Sequence, residues 1–265
     1  MADDTCVWAD RSWLQEVQYR TDTNLAARQS IYQYQHPPVD LVPRALDLAD
    51  LTGAETVADI GCGNGAYLAE LARRGHSGRM LGADLSAGML SAARARAPGA
   101  GLIAADAAAL PLRDGASELT LAMHMLYHVP SPPAAVRELR RVTGPGGQVL
   151  VALNGEGHLR ELLDLTTRAL RQIGGRERVT PGYKLGLAEG QELLGREFRT
   201  VIRHDFVAEL RIPGPGPVED YVRSLNVAHQ LADPGQLAAA VARLVRLESA
   251  GVFRIRTHSG CLICC

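Results

Sequence analysis

Between residues 55 and 153 the chain alternates between two spacings of apolar residues. Short, mostly apolar runs bounded by turn-forming residues are typical of buried strands, and apolar residues repeated every three or four positions are typical of helices. The predicted strands cover residues 55–60, 79–84, 101–105, 118–125 and 148–153. The predicted helices between them cover residues 66–74, 87–97 and 132–142. Strands joined by helical crossovers of this length indicate a parallel sheet with helices on both faces.

The C-terminal part of the chain has a different pattern. A tight turn at residues 144–147 and a helix over residues 159–173 precede two long predicted strands, 198–210 and 252–265. These strands are separated by a helical insertion at about residues 211–251. The helical runs predicted within it are 218–225 and 236–247. Two long strands joined in this way indicate an antiparallel pair at one edge of the sheet.

A glycine-rich turn connects the first of the five strands to the first of their helices. Gly61, Gly63 and Gly65 stand at alternate positions directly after the apolar run. Glycine adopts backbone conformations that a Cβ forbids, and such a turn lets a ligand lie against the main chain and the N-terminus of the next helix. The spacing also fits the dinucleotide-binding fingerprint, so the glycines alone leave the ligand class open.

Acidic residues stand at the ends of three successive predicted strands: Asp59, Asp84 and Asp106. Ligands of open parallel sheets bind at the carboxyl ends of the strands. A carboxylate at position 84 can accept both ribose hydroxyl hydrogens, in a nicotinamide cofactor as well as in other nucleosides. Asp106 suits an adenine amino group, and the backbone of Ala107 can complete adenine recognition. The three acids together are a sharper signal than any one of them.

Several stretches together resemble the class I S-adenosylmethionine-dependent methyltransferases. They are DIGCGNG at 59–65, GADLS at 82–86, ADA at 105–107, LPLRD at 110–114 and PGG at 145–147. With MHMLYHVP at 123–130, they are most similar to the small-molecule, methyltransferase type 11-like subfamily common in bacterial biosynthesis. The resemblance covers residues 40–155 most closely.

This resemblance implies a fold, a cofactor and a set of binding residues. The expected α/β fold is Rossmann-like, with a seven-stranded, mainly parallel sheet, an antiparallel last strand and a helical cap. The expected cofactor is S-adenosyl-L-methionine, which becomes S-adenosyl-L-homocysteine. The residues expected to bind it are Asp59, Gly61, Cys62, Gly63, Asn64, Asp84, Leu85, Asp106, Ala107 and His124.

The implied reaction is in-line transfer of a methyl group from the sulfonium to a nucleophile of the substrate. The protein then contributes mainly approach geometry and exclusion of water. A base is needed only where the nucleophile arrives protonated. His128 and His124 follow the fourth of the five strands and are candidates for that base, because imidazole titrates near neutrality. Packing, or contact with the cofactor through the backbone, is the alternative role for both.

Residues 1–50 are rich in aromatic side chains and precede the first of the five strands. The predicted division of the chain is an N-terminal helical lid over residues 1–50 and a methyltransferase domain over residues 51–265. A lid would keep water from the reaction, whereas packing on the core is the alternative role. The lid and substrate candidates are Tyr19, Tyr32 and Tyr34, and both tryptophans, Trp8 and Trp13, belong to the same segment.

Composition restricts the partners. The 265 residues are 46% hydrophobic and 22% charged, with a formal charge of −1, which is ordinary for a soluble globular protein and gives no argument for nucleic acid or an anionic membrane. No apolar run approaches the roughly 20 residues that span a bilayer. We therefore expect a small-molecule substrate, a cytoplasmic location and no nucleic-acid or membrane partner, and the composition is compatible with a homodimer.

The cysteines do not indicate a disulfide framework or a metal site. Their number is five, and three of them crowd the end of the chain near His258. Zinc sites usually pair two clusters of ligands, and the sequence has no second cluster, so we predict no metal and a buried last strand.

Two other functions remain open from the sequence. One is a methyltransferase-like protein that binds S-adenosylmethionine but catalyses another reaction. The other is a nicotinamide-dependent oxidoreductase, which Asp59, Asp106 and the terminal strand pair disfavour.

Overall fold

One mixed sheet organises the molecule. The computed structural model describes residues 12, 16, 18–176, 179, 185–249 and 251–265. Within these residues the strands are β1 (Gln35–His36), β2 (Val57–Ile60), β3 (Met80–Asp84), β4 (Gly101–Ala104), β5 (Ser117–Met123), β6 (Thr143–Asn154), β7 (Val201–Ile212) and β8 (Phe253–Cys264). Their order across the sheet is β1-β7-β8-β6-β5-β2-β3-β4.

Helices cover both faces of this sheet. They are α1 (Thr23–Ser30), α2 (Leu41–Asp47), α3 (Ala66–Arg73), α4 (Ala87–Arg96), α5 (Pro132–Val142), α6 (Arg160–Gln172), α7 (Leu187–Leu194), α8 (Gly216–Arg223), α9 (Asn226–His229) and α10 (Pro234–Glu248). Short 3-10 helices cover Ile31–Tyr34 and Leu126–His128. None of the helices in the described residues is long and apolar enough to cross a membrane.

The strand directions confirm the predicted fold. Strands β2 to β6 pair in parallel, and β8 lies antiparallel between β6 and β7. Every residue of β2 is buried, which explains its continuous apolar run. One short addition was not predicted: β1 pairs antiparallel with the outer edge of β7, with Gln35 opposite Leu210.

The secondary structure differs from the prediction at two places. The tight turn predicted at residues 144–147 lies inside β6, at an irregularity in its pairing with β5. Helix α7 was not predicted, and it contains Gly190, a residue that lowers helix propensity by about 1 kcal/mol. Glycine suits this position because a Cβ would lie 2.2 Å from Cδ1 of Leu153, a fully buried side chain of β6 that would have to move.

The helical cap is built from three separate parts of the chain. Its core combines Ile31 from the N-terminal segment with apolar side chains of α6, α8 and α10, among them Leu162, Val222 and Leu237. All four of these side chains are fully buried. The N-terminal segment and the insertion between β7 and β8 therefore share one core above the carboxyl ends of the sheet strands.

Candidate active site

The glycine turn has a left-handed backbone at all three glycines. The φ angles of Gly61, Gly63 and Gly65 are +71°, +53° and +75°, which favour glycine on backbone grounds alone. Packing adds a second reason at two of them. A Cβ on Gly61 would lie 2.7 Å from Cβ of Met125, and one on Gly65 would lie 3.0 Å from Cα of Ala93.

Gly63 is the glycine that faces open space. Within the part of the chain that the structure describes, a Cβ there would meet only Cδ2 of Leu25, at an ordinary 3.8 Å. Gly63 also donates its backbone N–H to Oδ2 of Asp84, at 2.9 Å. The middle of the turn is therefore fastened to the end of β3, and its main chain is exposed to the cavity described below.

Asp84 lies where β3 ends and serves as an acceptor for backbone groups. Its second carboxylate oxygen accepts the N–H of Ser86 at 2.8 Å, and the Ser86 hydroxyl caps the N-terminus of α4 through Met89. Burial raises the pKa of Asp84, and the backbone hydrogen bonds oppose that rise. Each carboxylate oxygen has a further lone pair available for a ligand.

Asp59 is the most unusual group of the site. Its side chain is buried, with 1% of the residue exposed, and neither carboxylate oxygen has a hydrogen-bond partner among the described residues. Burial, and next the negative charge of Asp84, raises the pKa of Asp59 to about 8. A buried carboxylate without partners is costly, and a cationic amine of a ligand would satisfy it.

The remaining predicted cofactor residues come to the same place. A cavity of about 540 Å³ opens at the carboxyl ends of β2 to β5. All ten predicted cofactor residues line this cavity: Asp59, Gly61, Cys62, Gly63, Asn64, Asp84, Leu85, Asp106, Ala107 and His124. Asp106 accepts the backbone N–H of Ala108 at 2.9 Å, and Asn64 accepts from Arg96 at 3.2 Å. Burial raises the pKa of the Cys62 thiol, which therefore stays protonated.

The cavity continues past the end of β5 to the two candidate bases. Nε2 of His128 is 3.0 Å from the hydroxyl of Tyr19, and their rings meet edge to face. His124 has a left-handed backbone, with φ of +55°, and donates its N–H to Ala152 in β6. Burial lowers the pKa of His124 to about 4, so its ring is neutral at pH 7 and is a poor proton acceptor there.

A second tyrosine–histidine pair borders the same cavity. The hydroxyl of Tyr32 is 3.0 Å from Nε2 of His158, and the rings are stacked. Nδ1 of His158 accepts the backbone N–H of His258, and burial lowers the pKa of His158 to about 3. The neutral ring therefore carries its hydrogen on Nε2 and donates it to Tyr32. His158 was not predicted, because its partner is 126 residues away and no motif marks either position.

The aromatic candidates of the N-terminal segment divide into three groups. Tyr19 and Tyr32 line the cavity. Tyr34 does not line it and packs instead against the core of the cap. Trp8 and Trp13 lie outside the described residues. The cavity wall also contains Arg28 and Tyr221, which the sequence did not single out because no motif surrounds them.

The site fits the cofactor that the motifs imply. S-Adenosylmethionine carries an amino group, ribose hydroxyls and an adenine. The unpartnered carboxylate of Asp59, the end of β3 at Asp84 and the end of β4 near Asp106 present acceptors along one continuous wall. Gly63 leaves the main chain accessible beside them.

Several known proteins with similar sequences are methyltransferases. The family model described as a methyltransferase domain matches residues 58–151. The chain is 31% identical over 190 residues to the malonyl-[acyl-carrier protein] O-methyltransferase of Serratia marcescens, covering 71% of this chain and 68% of that protein. It is 33% identical over 195 residues to the 23S rRNA (guanine(748)-N(1))-methyltransferase of Streptomyces fradiae, covering 72% of this chain and 61% of that protein.

A solved structure agrees with this assignment at the level of the fold. The SAM-dependent methyltransferase of Thermotoga maritima superposes with a TM-score of 0.52 at 13% identity, covering 91% of this chain and 97% of that one. The strand order, the glycine turn and the matched relatives lead to one assignment. The chain belongs to the class I S-adenosylmethionine-dependent methyltransferases and is an enzyme of that family.

Proposed function

We propose that this enzyme transfers the methyl group of S-adenosylmethionine to a small molecule, a secondary metabolite or its precursor. The observation that carries the proposal is the continuity of one cavity. The same 540 Å³ space is lined by the acids at the strand ends and by the tyrosine–histidine pairs of the cap side. Its volume lies within the range of about 300–1,000 Å³ that is usual for small-molecule sites.

The residues assigned to the cofactor follow from what each can accept. Asp84 would hold the ribose hydroxyls, Asp106 and the backbone of Ala107 would hold the adenine, and Asp59 would take the amino group. When bound, S-adenosylmethionine supplies a methyl group activated by a positively charged sulfur. The structural support is the unpartnered carboxylate of Asp59 and the pair of backbone hydrogen bonds that orient Asp84.

His128 is the proposed proton acceptor for a substrate that arrives protonated. It lies in the cavity wall, and its Nε2 is within hydrogen-bond distance of Tyr19. Burial raises the pKa of Tyr19, so this phenol stays protonated and orients the imidazole. His124 is the weaker candidate, because its pKa of about 4 leaves little driving force for proton uptake near pH 7.

The proposed lid is the N-terminal segment, residues 1–50, of which the structure describes residues 12, 16 and 18–50. Tyr19, Leu25 and Tyr32 line the cavity, and the hydroxyl of Ser86 donates to the backbone oxygen of Tyr19 at 2.7 Å. In this proposal the segment covers the reacting groups and so excludes water from the transfer. Its function as a lid, separate from packing, is part of the proposal.

A small-molecule acceptor is favoured over RNA by the shape and charge of the site. Aromatic side chains of the lid and the cap, Tyr19 and Tyr221, both line the cavity and take up part of the space for a substrate. The formal charge of the chain is −1, whereas recognition of nucleic acid depends on a basic surface. Because one relative is an rRNA methyltransferase, the test includes an RNA pool as well as a small-molecule pool.

The test incubates the enzyme with labelled S-adenosylmethionine and two acceptor pools. One pool is the small-molecule fraction of a bacterial extract, and the other is its total RNA. Label in a compound of the first pool, together with formation of S-adenosylhomocysteine, is the expected result. Label in RNA alone would contradict the small-molecule assignment, and cofactor binding without any transfer would favour a non-methylating reaction.

A further inference from the structure

The cavity has a polar region that the proposed reaction does not use. We call it the β6–β8 subsite, and its members are Tyr32, Asn154, His158 and Ser259, all of which line the cavity. Asn154 ends β6, and Ser259 lies opposite it on β8. These two strands stand on the far side of β5 from β2, β3 and β4, which lead to the acids assigned to the cofactor. Neighbouring strands are roughly 4.8 Å apart, so β6 lies roughly 10 Å from β2 and roughly 14 Å from β3.

The tautomer of His158 makes Tyr32 a hydrogen-bond donor. Nδ1 of His158 accepts the backbone N–H of His258 at 3.1 Å, and only 6% of the His158 residue is exposed. Burial, and next the nearby ring of His124, lowers the pKa of His158 to about 3. The ring is therefore neutral near pH 7, and its one N–H hydrogen is on Nε2, which is 3.0 Å from the hydroxyl oxygen of Tyr32. Because this oxygen accepts from His158, the phenol uses its own hydrogen to donate.

Asn154 supplies a second donor at the same end of the sheet. Its side-chain oxygen accepts the hydroxyl hydrogen of Ser259 at 3.3 Å, so the amide nitrogen is the group left for a ligand. Within the described residues, no group accepts a hydrogen from this nitrogen, and it is not among the fully buried atoms that lack a partner. The amide hydrogens of Asn154 are therefore accessible from the cavity that the residue lines.

The β6–β8 subsite offers donors but contains no cation. The neighbouring hydrogen-bonded pair of His258 and Asp205 is directed to the other face of the sheet, because successive residues of a strand alternate and Ser259 faces the cavity. Asp40, an exposed acid, also lines the cavity and would repel an anion. A carboxylate removed from water needs a positive charge, whereas a neutral carbonyl oxygen needs only hydrogen-bond donors. The subsite is therefore suited to an uncharged oxygen.

We infer that Tyr32 and Asn154 bind a carbonyl oxygen of the methyl acceptor, and that His158 is the positioning residue that holds Tyr32 as a donor. The methyl acceptor is then an uncharged carbonyl compound at this point of contact, such as a ketone, an ester or an amide. This inference rests on the proposed function, since it names the substrate class of the same site.

The test measures binding of three ketones to the full-length protein saturated with S-adenosylhomocysteine. They are indan-1-one, acetophenone and cyclohexanone, and each is compared with the hydrocarbon that has a methylene group in place of the carbonyl. Calorimetry should detect binding of at least one ketone to the wild type. Tyr32→Phe removes only the hydroxyl, and Asn154→Leu removes the amide at similar volume. Each should weaken that ketone by about 2- to 10-fold and leave the affinity for its hydrocarbon unchanged.

Infrared spectroscopy of the bound ketone distinguishes a direct contact from a structural effect. A hydrogen bond to the carbonyl oxygen lowers the frequency of its stretching vibration, so this frequency should be higher in Tyr32→Phe than in the wild type. Two changes test the positioning role of His158. His158→Gln retains an N–H that can donate to Tyr32 and should keep the wild-type affinity for the ketone, whereas His158→Phe lacks that hydrogen and should weaken the ketone as Tyr32→Phe does.

The matched control is Tyr34→Phe, which removes a hydroxyl from the same 3-10 helix but outside the cavity lining, and it should bind the ketone like the wild type. Binding of S-adenosylhomocysteine to each variant reports whether the site is still folded. The inference is wrong if none of the three ketones binds the wild type, or if Tyr32→Phe leaves both the affinity and the carbonyl frequency unchanged. Failure of the wild type to bind S-adenosylhomocysteine at all would instead contradict the proposed function.

Discussion

Gly88 is the position where the contact between the N-terminal segment and the methyltransferase sheet can be broken by one methyl group. It is the second residue of α4, and a Cβ built there lies 2.0 Å from the backbone oxygen of Arg20. Distances below 3.0 Å are essentially never seen for real Cβ atoms. Gly88→Ala must therefore separate the two backbones by on the order of 1 Å, a misplacement that near a reacting centre can cost about 100-fold in rate.

The separation has a defined consequence for the site. It breaks the hydrogen bond from the Ser86 hydroxyl to the backbone oxygen of Tyr19. A hydrogen bond between neutral groups contributes about 0.5–1.5 kcal/mol to stability. It also moves the Tyr19 hydroxyl away from His128, so the proposed base loses its orientation. In an isolated helix the same substitution would stabilise by about 0.5–1 kcal/mol, so any loss of function arises from the contact with Arg20.

Two assays measure the effect. Tryptic cleavage after Arg20 reports opening of the segment, and it should be at least several-fold faster in Gly88→Ala. Turnover of S-adenosylmethionine should fall by roughly 100-fold. The matched control is Gly99→Ala, because a Cβ at Gly99 has nothing within 4 Å, and it should behave like the wild type. Wild-type cleavage and wild-type turnover in Gly88→Ala would refute the reasoning.

Three further changes test individual groups. Asp59→Asn should flatten the pH dependence of stability, because the folded protein holds a proton on Asp59, with a pKa of about 8, that the unfolded chain releases near its ordinary 3.8. The wild type should therefore lose stability as pH rises from about 4 to about 8, and equal slopes in thermal unfolding would contradict this. Gly63→Val should abolish binding of S-adenosylhomocysteine, measured by calorimetry, while the domain stays folded. The valine side chain, on a left-handed backbone, would enter the open space of the cavity. His128→Ala should lower kcat by roughly 10²–10⁴ with cofactor affinity nearly unchanged, and an unaltered rate and pH profile would exclude His128 as the base.

The sheet and the cofactor side of the site could be predicted because their signals are local. A buried strand, an acid near its end and three glycines stand within nine residues, 57–65. The structure adds a reason that no sequence pattern contains. Gly61 and Gly65 are required by neighbours at Met125 and Ala93, far along the chain, whereas only Gly63 is left open to the cavity.

The contacts of the substrate side could not be predicted, because each of them joins distant segments. Tyr32 meets His158 across 126 residues, and Tyr19 meets His128 across 109. The aromatic content of the N-terminal segment indicated a lid but did not separate Tyr32, which lines the cavity, from Tyr34, which packs into the cap.

Binding of the cofactor is the most direct test of the account, and the comparison is between the wild type and a variant that lacks the Asp84 carboxylate. Calorimetry of the wild type and Asp84→Ala with S-adenosylhomocysteine measures whether the strand-end acids form a nucleoside site. Loss of charge-assisted hydrogen bonds worth about 1.5–3 kcal/mol predicts that the variant binds 10- to 100-fold more weakly than the wild type. Equal binding by both proteins, or binding of NADH in place of S-adenosylhomocysteine by the wild type, would contradict the account.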